Sequence, residues 1–333
     1  MVPSSQPPDI LTSVTTPDSG DILDPLEDLL DVLDLEPAGS AHITIGGAAD
    51  DNKPDLGESD ADVFIGRSQP MPHGRVFGGQ VLAQSVIAAG RTVGALADAG
   101  DHPRRIHSLH GYFLRPGDSA RPIRFAVERL RDGRSFSARR VHAIQNGRPI
   151  LSMITSFQTD ADGLDHQDLM PSAPDPESLP TVAEELAAID HRVADFWSKG
   201  KAIDLRHVEG GIYVRPGRQR AAQQSVWLKA IGQMPDDPLM HAAVLAYCSD
   251  YSVLEPVLRR HGLAWSDPRL RPASLDHAMW FHRPGRADDW TLYTQASPSA
   301  SNGRGLAVGR MFSADGSLLA TVAQEGMLRI KES

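Results

Sequence analysis

The chain has little cysteine, little surplus positive charge and no long apolar run. Cys248 is the single cysteine in 333 residues. That excludes a disulfide framework and a thiolate metal site, and a reducing cytoplasm is the natural compartment. Lys and Arg number 33 against 43 Asp and Glu, a net charge of −10. This argues against nucleic acid as a partner, because phosphate binding draws on surplus cations. A small anionic ligand stays open, since a local cationic rim is enough to hold one. A run of about 18 apolar residues is missing, so no stable membrane insertion is expected. The first residues have neither the basic start nor the apolar core of a secretory signal. No G-x-S-x-G marks a serine hydrolase elbow. Gly303-Arg-Gly-Leu-Ala-Val-Gly309 has the wrong spacing for a dinucleotide loop and opens a strand.

What is present is an internal echo. Ile106-His-Ser-Leu-His-Gly-Tyr-Phe-Leu-Arg-Pro-Gly117 has an approximate copy in Ala273-Ser-Leu-Asp-His-Ala-Met-Trp-Phe-His-Arg-Pro-Gly285. Arg115 and Arg283, which head the two Arg-Pro-Gly turns, are 283 − 115 = 168 positions apart. Two versions of one folding unit are therefore expected.

Residues 1–20, rich in Pro, Ser, Thr and Asp, predict a disordered tail. A helix should follow, with Asp24 as N-cap, Pro25 in the first turn and Leu26, Leu29, Leu30 and Leu33 as its apolar stripe. Pro37 and Gly39 should end it. The acidic segment 46–62 reads as a solvated loop or insertion. The first unit, 21–159, then holds an Ala-rich buried helix over 75–89 and strands at 108–114, 123–130, 135–145 and 150–159. Asn146-Gly147 marks a hairpin. Residues 160–200 read as a linker ending in a helix over 182–197. The second unit, 201–333, repeats the order: short strands at 212–214 and 224–231, a buried helix over 239–248, then strands at 278–282, 290–296, 305–313 and 318–329. A buried helix followed by an antiparallel meander, twice, is an α+β chain.

Val76-Phe-Gly-Gly-Gln-Val-Leu-Ala-Gln84, His110 to Gly117, Ser249-Asp250, Ser274-Leu-Asp-His277, Met279-Trp-Phe-His-Arg283 and Gln324-Glu-Gly326 occur in an order that resembles the type II acyl-CoA thioesterases. These are TesB-like proteins of fused double hot-dog fold. The resemblance runs from about Leu26 to Arg329. It implies two antiparallel sheets, each wrapped around a central helix. It also implies hydrolysis of an acyl-CoA substrate to a free acid and coenzyme A, without cofactor or metal. The family's catalytic Asp, Ser or Thr, and Gln carry over to Asp250, Ser274 and Gln324.

The chemistry suits those residue types. A carboxylate can hold a water and accept its proton, a hydroxyl donates and accepts, and a glutamine amide offers two donors and an acceptor. Ser274 is expected at the start of the first strand after the helix. Backbone N–H groups of Gly78 and Gly79 are expected to polarise the carbonyl oxygen. Gln80, Trp280 and Arg283 complete the expected substrate-binding set. Arg115, Arg283 and Arg304 are candidates for coenzyme A phosphates. His107 and His110, three apart on a strand, should face opposite sides, and so should His277 and His282. Neither pair suggests a metal site, and His277 is assigned no role beyond a structural one.

Two rival functions remain. One is a hot-dog enoyl-CoA hydratase, which would carry a histidine five positions after its aspartate; here that position is Glu255. The other is a non-catalytic acyl-CoA-binding protein. Association into a dimer or tetramer through sheet edges or faces is open.

Overall fold

A computed structural model describes residues 24–44, 58–98, 102–187 and 201–331, with positions 189, 194, 197 and 198 between the last two. The tail at 1–20 and residues 46–57 of the acidic segment lie outside the described residues.

Helix α1 (Pro25–Leu33) starts as the capping pattern predicts: the Asp24 carboxylate accepts from the Leu26 N–H at 2.9 Å. Leu26, Leu29, Val32 and Leu33 are its buried side. The helix stops before Pro37. Strand β1 (Glu36–Thr44) already contains Pro37 and Gly39, where its register slips and Gly39 takes φ 86°. An edge strand tolerates a proline there because it lacks a partner on one side. Residues 58–62, expected in a loop, begin strand β2 (Glu58–Gly66) instead. Their carboxylates misled the charge pattern. Asp62 stands on the outer face and pairs with Arg129 at 2.9 Å, while Ala61 is buried.

Helix α2 (Gly78–Asp98) is longer than expected and buried along most of its length. The meander follows: β3 (Arg104–Phe113), β4 (Ile123–Asp132), β5 (Phe136–Gln145) and β6 (Arg148–Thr159). Asn146 and Gly147 both take positive φ, 51° and 70°, as the two-residue turn between β5 and β6 requires. In the connection, α3 (Val182–Leu186) begins with a complete Thr181–Glu184 capping box; most of the rest of the helix expected up to residue 197 lies outside the described residues, and positions 194, 197 and 198 are helical.

The second unit contains β7 (Ile203–His207), β8 (Gln223–Ala230), α4 (Pro238–Ser249), α5 (Glu255–His261) and β9 (Leu270–Ser274). Strands β10 (Asp276–Phe281), β11 (Thr291–Ser301), β12 (Arg304–Ser313) and β13 (Leu318–Ile330) complete it. Residues 212–214 are not a strand, though Ile212 and Tyr213 are buried and Val214 is partly so; β7 takes that place. Their apolar character serves a packing role against Leu258 and Trp265.

The strands join in one antiparallel sheet of order β1-β2-β4-β5-β6-β3-β10-β13-β12-β11-β8-β7, with β9 paired to β13. The order is the same read outward from either side of the β3–β10 seam. At that seam Ala278 faces His110, and 278 − 110 = 168, the spacing of the repeated motif. A pseudo-twofold axis therefore passes through this residue pair. Each half-sheet curls around its own helix, and α2 packs against α4 in the interior, where Val81, Leu82, Val86, Ile87, Val244, Leu245 and Ala246 form the core. Among the described residues no helix is long and apolar enough to cross a membrane.

Candidate active site

α4 ends at Asp250, which occupies the C-cap position with φ −90° and ψ −9°. Its carboxylate points to the first turn of α2. A methyl group added at Gly78 would stand 2.6 Å from Asp250 Oδ2, and one at Gly79 would collide with the Tyr247 carbonyl. Two glycines are needed because backbone and carboxylate occupy the space of a side chain. The Gly79 N–H is on the side of α2 that faces this carboxylate and favours its ionised form.

Ser274 is the last residue of β9, not the first of the next strand. The chain passes through Leu275, whose N–H donates to the Glu325 carbonyl, before β10 begins. Gln324 lies in the middle of β13 and is 1% exposed. From these three elements the side chains converge. Gln324 Nε2 donates to Asp250 Oδ1 at 2.8 Å and to Ser274 Oγ at 3.0 Å, and Ser274 Oγ lies 3.5 Å from Asp250 Oδ1. Carboxylate, hydroxyl and amide thus form a closed triangle with one loose side.

Burial dominates the electrostatics of the triangle. It pushes the Asp250 carboxyl up to about 6, against hydrogen bonds from Gln324, Gly79 and Ser274 that favour the charged form. A carboxylate in that range can accept a proton from water near neutral pH without being fully basic beforehand.

The other expected residues are placed as follows. Gln80 is fully buried and both ends of its amide are engaged: Oε1 accepts from the Gln69 N–H at 2.9 Å and Nε2 donates to Gln84 at 3.0 Å. It ties residues 67–69 to α2 and has no free group for a substrate. Trp280 is 38% exposed on the outer face of the sheet, edge-on to His110 with ring centres 5.1 Å apart. Its neighbour Met279 points inward instead. Arg283 pairs with Asp165 and so ties the connecting segment to the second half. Arg304 pairs with Glu325 at 2.9 Å, and Arg115 donates to the Pro149 carbonyl at 2.9 Å. The guanidinium groups expected on coenzyme A phosphates thus have protein partners.

The register of β3 slips at Ile106/Ser108, which turns His107 onto the face of Ser156, 2.8 Å from its hydroxyl. His107 and His110 therefore share a face, contrary to simple alternation. Among the described residues no group of three His, Cys, Asp or Glu could hold a metal ion. Glu255 is buried and bound by His207 at 3.1 Å, Gln224 at 2.9 Å and Trp265 at 2.9 Å. It belongs to the support of α5 and not to the triangle. Sequence reasoning missed His277 and Ser249, which lie directly beneath Gln324. Strict alternation along β10 puts His277 inside with Met279; that signal was available, and only the identity of its partners was not.

A continuous antiparallel sheet wrapped around two central helices, each half built alike, is a double hot-dog, and the triangle lies where the helix ends of the two halves meet. Residues 67–158 match the family model described as acyl-CoA thioesterase N-terminal domain, and residues 205–327 match the one described as acyl-CoA thioesterase. The chain is 37% identical to human acyl-coenzyme A thioesterase 8 over 82% of its own length and 86% of that protein's. It is 36% identical to acyl-CoA thioesterase 2 of Haemophilus influenzae over 81% of this chain and 93% of the relative. The crystal structure of acyl-CoA thioesterase II TesB2 from Mycobacterium marinum superposes with a TM-score of 0.68 at 39% identity, covering 91% of this chain and 99% of the other. The chain belongs to the acyl-CoA thioesterase family, a family of thioester hydrolases.

Proposed function

We propose that the protein hydrolyses acyl-CoA through a water held between Asp250, Ser274 and Gln324. The single observation that carries this reading is the convergence of those three side chains from α4, β9 and β13, all within 3.5 Å of one another. The Ser274–Asp250 side, at 3.5 Å, is too long for a good O–H···O bond. A water entering there would donate to the carboxylate and accept from the hydroxyl. Asp250 takes a proton as the water oxygen bonds to the thioester carbonyl carbon. The C–S bond then breaks, the proton passes to the leaving sulfur, and the products are a carboxylic acid and the thiol of coenzyme A. Gln324 and Ser274 fix the direction of attack, which is an entropic contribution of several kcal/mol in well-oriented systems.

Support for the aspartate as base comes from its surroundings. Its partners are neutral donors, so its proton affinity is raised by burial and not cancelled by a cation. An apolar cleft of about 320 Å³, walled by Trp197, Ile203, Leu205, Tyr213 and Tyr251, is of a size to take part of an acyl chain. Tyr251 follows Asp250 in the chain and its ring lies 4.9 Å from that of Phe77. The hydratase alternative loses its support because Glu255 is committed to His207 and Trp265.

The test is thiol release from a chain-length series of acyl-CoA esters by wild type and Asp250→Asn. The wild type should release thiol, and the variant should lose about 10³-fold in kcat, as expected for a removed general base. An unchanged rate in Asp250→Asn would reject the mechanism, and binding without thiol release would favour the acyl-CoA-binding alternative.

A further inference from the structure

Beneath the triangle sits a histidine that the reaction as written does not use. His277 is 1% exposed and points inward from β10. Its Nδ1 meets Gln324 Oε1, and its Nε2 lies 2.9 Å from Ser249 Oγ. Both hydrogens of the Gln324 amide are already committed to Asp250 and Ser274. The amide oxygen can only accept. His277 Nδ1 must therefore carry the hydrogen between them. Burial pushes the imidazole down to about 4, so the ring is neutral and Nε2 is the bare nitrogen. Ser249 Oγ lies between this nitrogen and the Ala246 carbonyl, 2.8 Å from the latter, and its single hydrogen serves one of the two at a time, so the Gln324 contact fixes the ring. The contacts leave one tautomer.

A glutamine amide has nearly the same shape after a 180° turn about its last bond. The turned amide would aim its oxygen at the Asp250 carboxylate and withdraw both donors from the water site. We propose that His277 is a positioning residue whose Nδ1–H locks Gln324 in the orientation that serves Asp250 and Ser274. This rests on the role given to Gln324 above.

The pseudo-twofold axis supplies an independent observation. The counterpart of His277 is Leu109, since 277 − 168 = 109, and Leu109 is fully buried in the same sheet position. Ala323 and Ile154 face the paired seam residues Ala278 and His110, so the counterpart of Gln324 is Thr155. Where the partner strand carries no amide to orient, an apolar side chain fills the place. The fold accepts leucine there, and the imidazole goes with the glutamine.

The full-length chain assayed for thiol release provides the test. In His277→Leu, kcat should fall by about 30-fold or more while KM stays within about twofold, the pattern of an interaction made in the transition state. His277→Asn places an amide donor near the Nδ1 position and should recover to within about fivefold of wild type. His277→Gln reaches the Ser249 side instead and should be slower than His277→Asn. In a Gln324→Ala background, His277→Leu should cost no more than about twofold, because the two act as one unit. Wild-type kcat in His277→Leu, an Asn variant no faster than Gln, or an undiminished cost in the Gln324→Ala background would each overturn the proposal. If His277→Leu does not fold, the Asn and Gln variants decide alone. A Gln324→Ala enzyme at wild-type rate would instead reject the site itself, which keeps the two failures apart.

Discussion

The two ends of the α2–α4 helix pair are both opened by glycine and have opposite chemistry. At one end Gly78 and Gly79 of α2 make room for Asp250 and the Tyr247 carbonyl. At the other end a glycine of α2, Gly90, makes room for the Leu239 side chain from α4. Both ends need a glycine because the helices approach closely; only one receives a carboxylate. The sheet repeats the contrast, with His277 and Gln324 answered by Leu109 and Thr155. Side-chain identity, not backbone geometry, makes one end polar and the other apolar.

The two halves also surround a carboxylate differently, Asp132 being partly exposed and Asp250 enclosed. In the first, Asp132 accepts from Ser137 and from the fully buried Arg139. Burial alone would raise its pKa, but Ser137, Arg139 and Arg104 together hold it below the usual carboxylate range. Asp250, with neutral donors, stays above that range, at about 6. A cation beside an acid holds its pKa down; the absence of one among the Asp250 donors leaves that pKa raised towards neutrality.

The sharpest way to break this comparison is at the triangle. Gln324→Ala should cost about 10²-fold in kcat with the chain still folded, since it removes both donors to Asp250 and Ser274. Ser274→Ala should cost about tenfold, and Ser274→Thr, which keeps the hydroxyl, no more than about threefold. Steady-state thiol release reads all three; equal losses for Ala and Thr at 274 would show that the hydroxyl is not what matters.

The pH profile gives the next effect. With Asp250 as base, kcat/KM should fall about tenfold per pH unit below about 6. The stability sign follows from the same shift. The folded-state pKa lies above the unfolded value of about 3.9, so ionised Asp250 destabilises the fold above pH 6, and that cost fades as pH falls towards 4. Asp250→Asn should therefore be more stable than wild type at pH 8, by about 1–2 kcal/mol, with the advantage gone near pH 4. Denaturant unfolding at the two pH values checks it. For Asp132 the sign is reversed: its stabilisation is present above the unfolded pKa and lost in acid.

The smallest effect is expected at the apolar end. Gly90→Ala gains helix propensity but presses on Leu239, for a net destabilisation of about 1 kcal/mol. The kcat of the folded enzyme should not change, and adding Leu239→Ala should relieve the pressure. A kcat loss in Gly90→Ala would mean that the two ends are coupled.

Much of this protein could be read from its residues. The repeat spacing of 168 gave the two halves, and the structure placed a residue pair with that same spacing on their axis. Alternation gave the strands of both meanders, Asn146-Gly147 gave the β5–β6 hairpin, and Asp24 gave α1. The candidate triangle was legible only through resemblance, because Asp250, Ser274 and Gln324 are far apart in sequence and each is ordinary by itself. Residues 58–62 were misread because outward carboxylates on a strand look like a solvated loop, and Gln80 because a buried amide and a ligand-binding one are the same residue.

Local sequence thus determined the elements, their order and their duplication, since helix caps, turn residues and apolar periodicity act over a few neighbouring positions. The tertiary structure alone decided which end of the helix pair is polar, which arginines are already paired, and that His277 faces Gln324. Those outcomes depend on distances between strands remote in the chain, and no short-range preference encodes them.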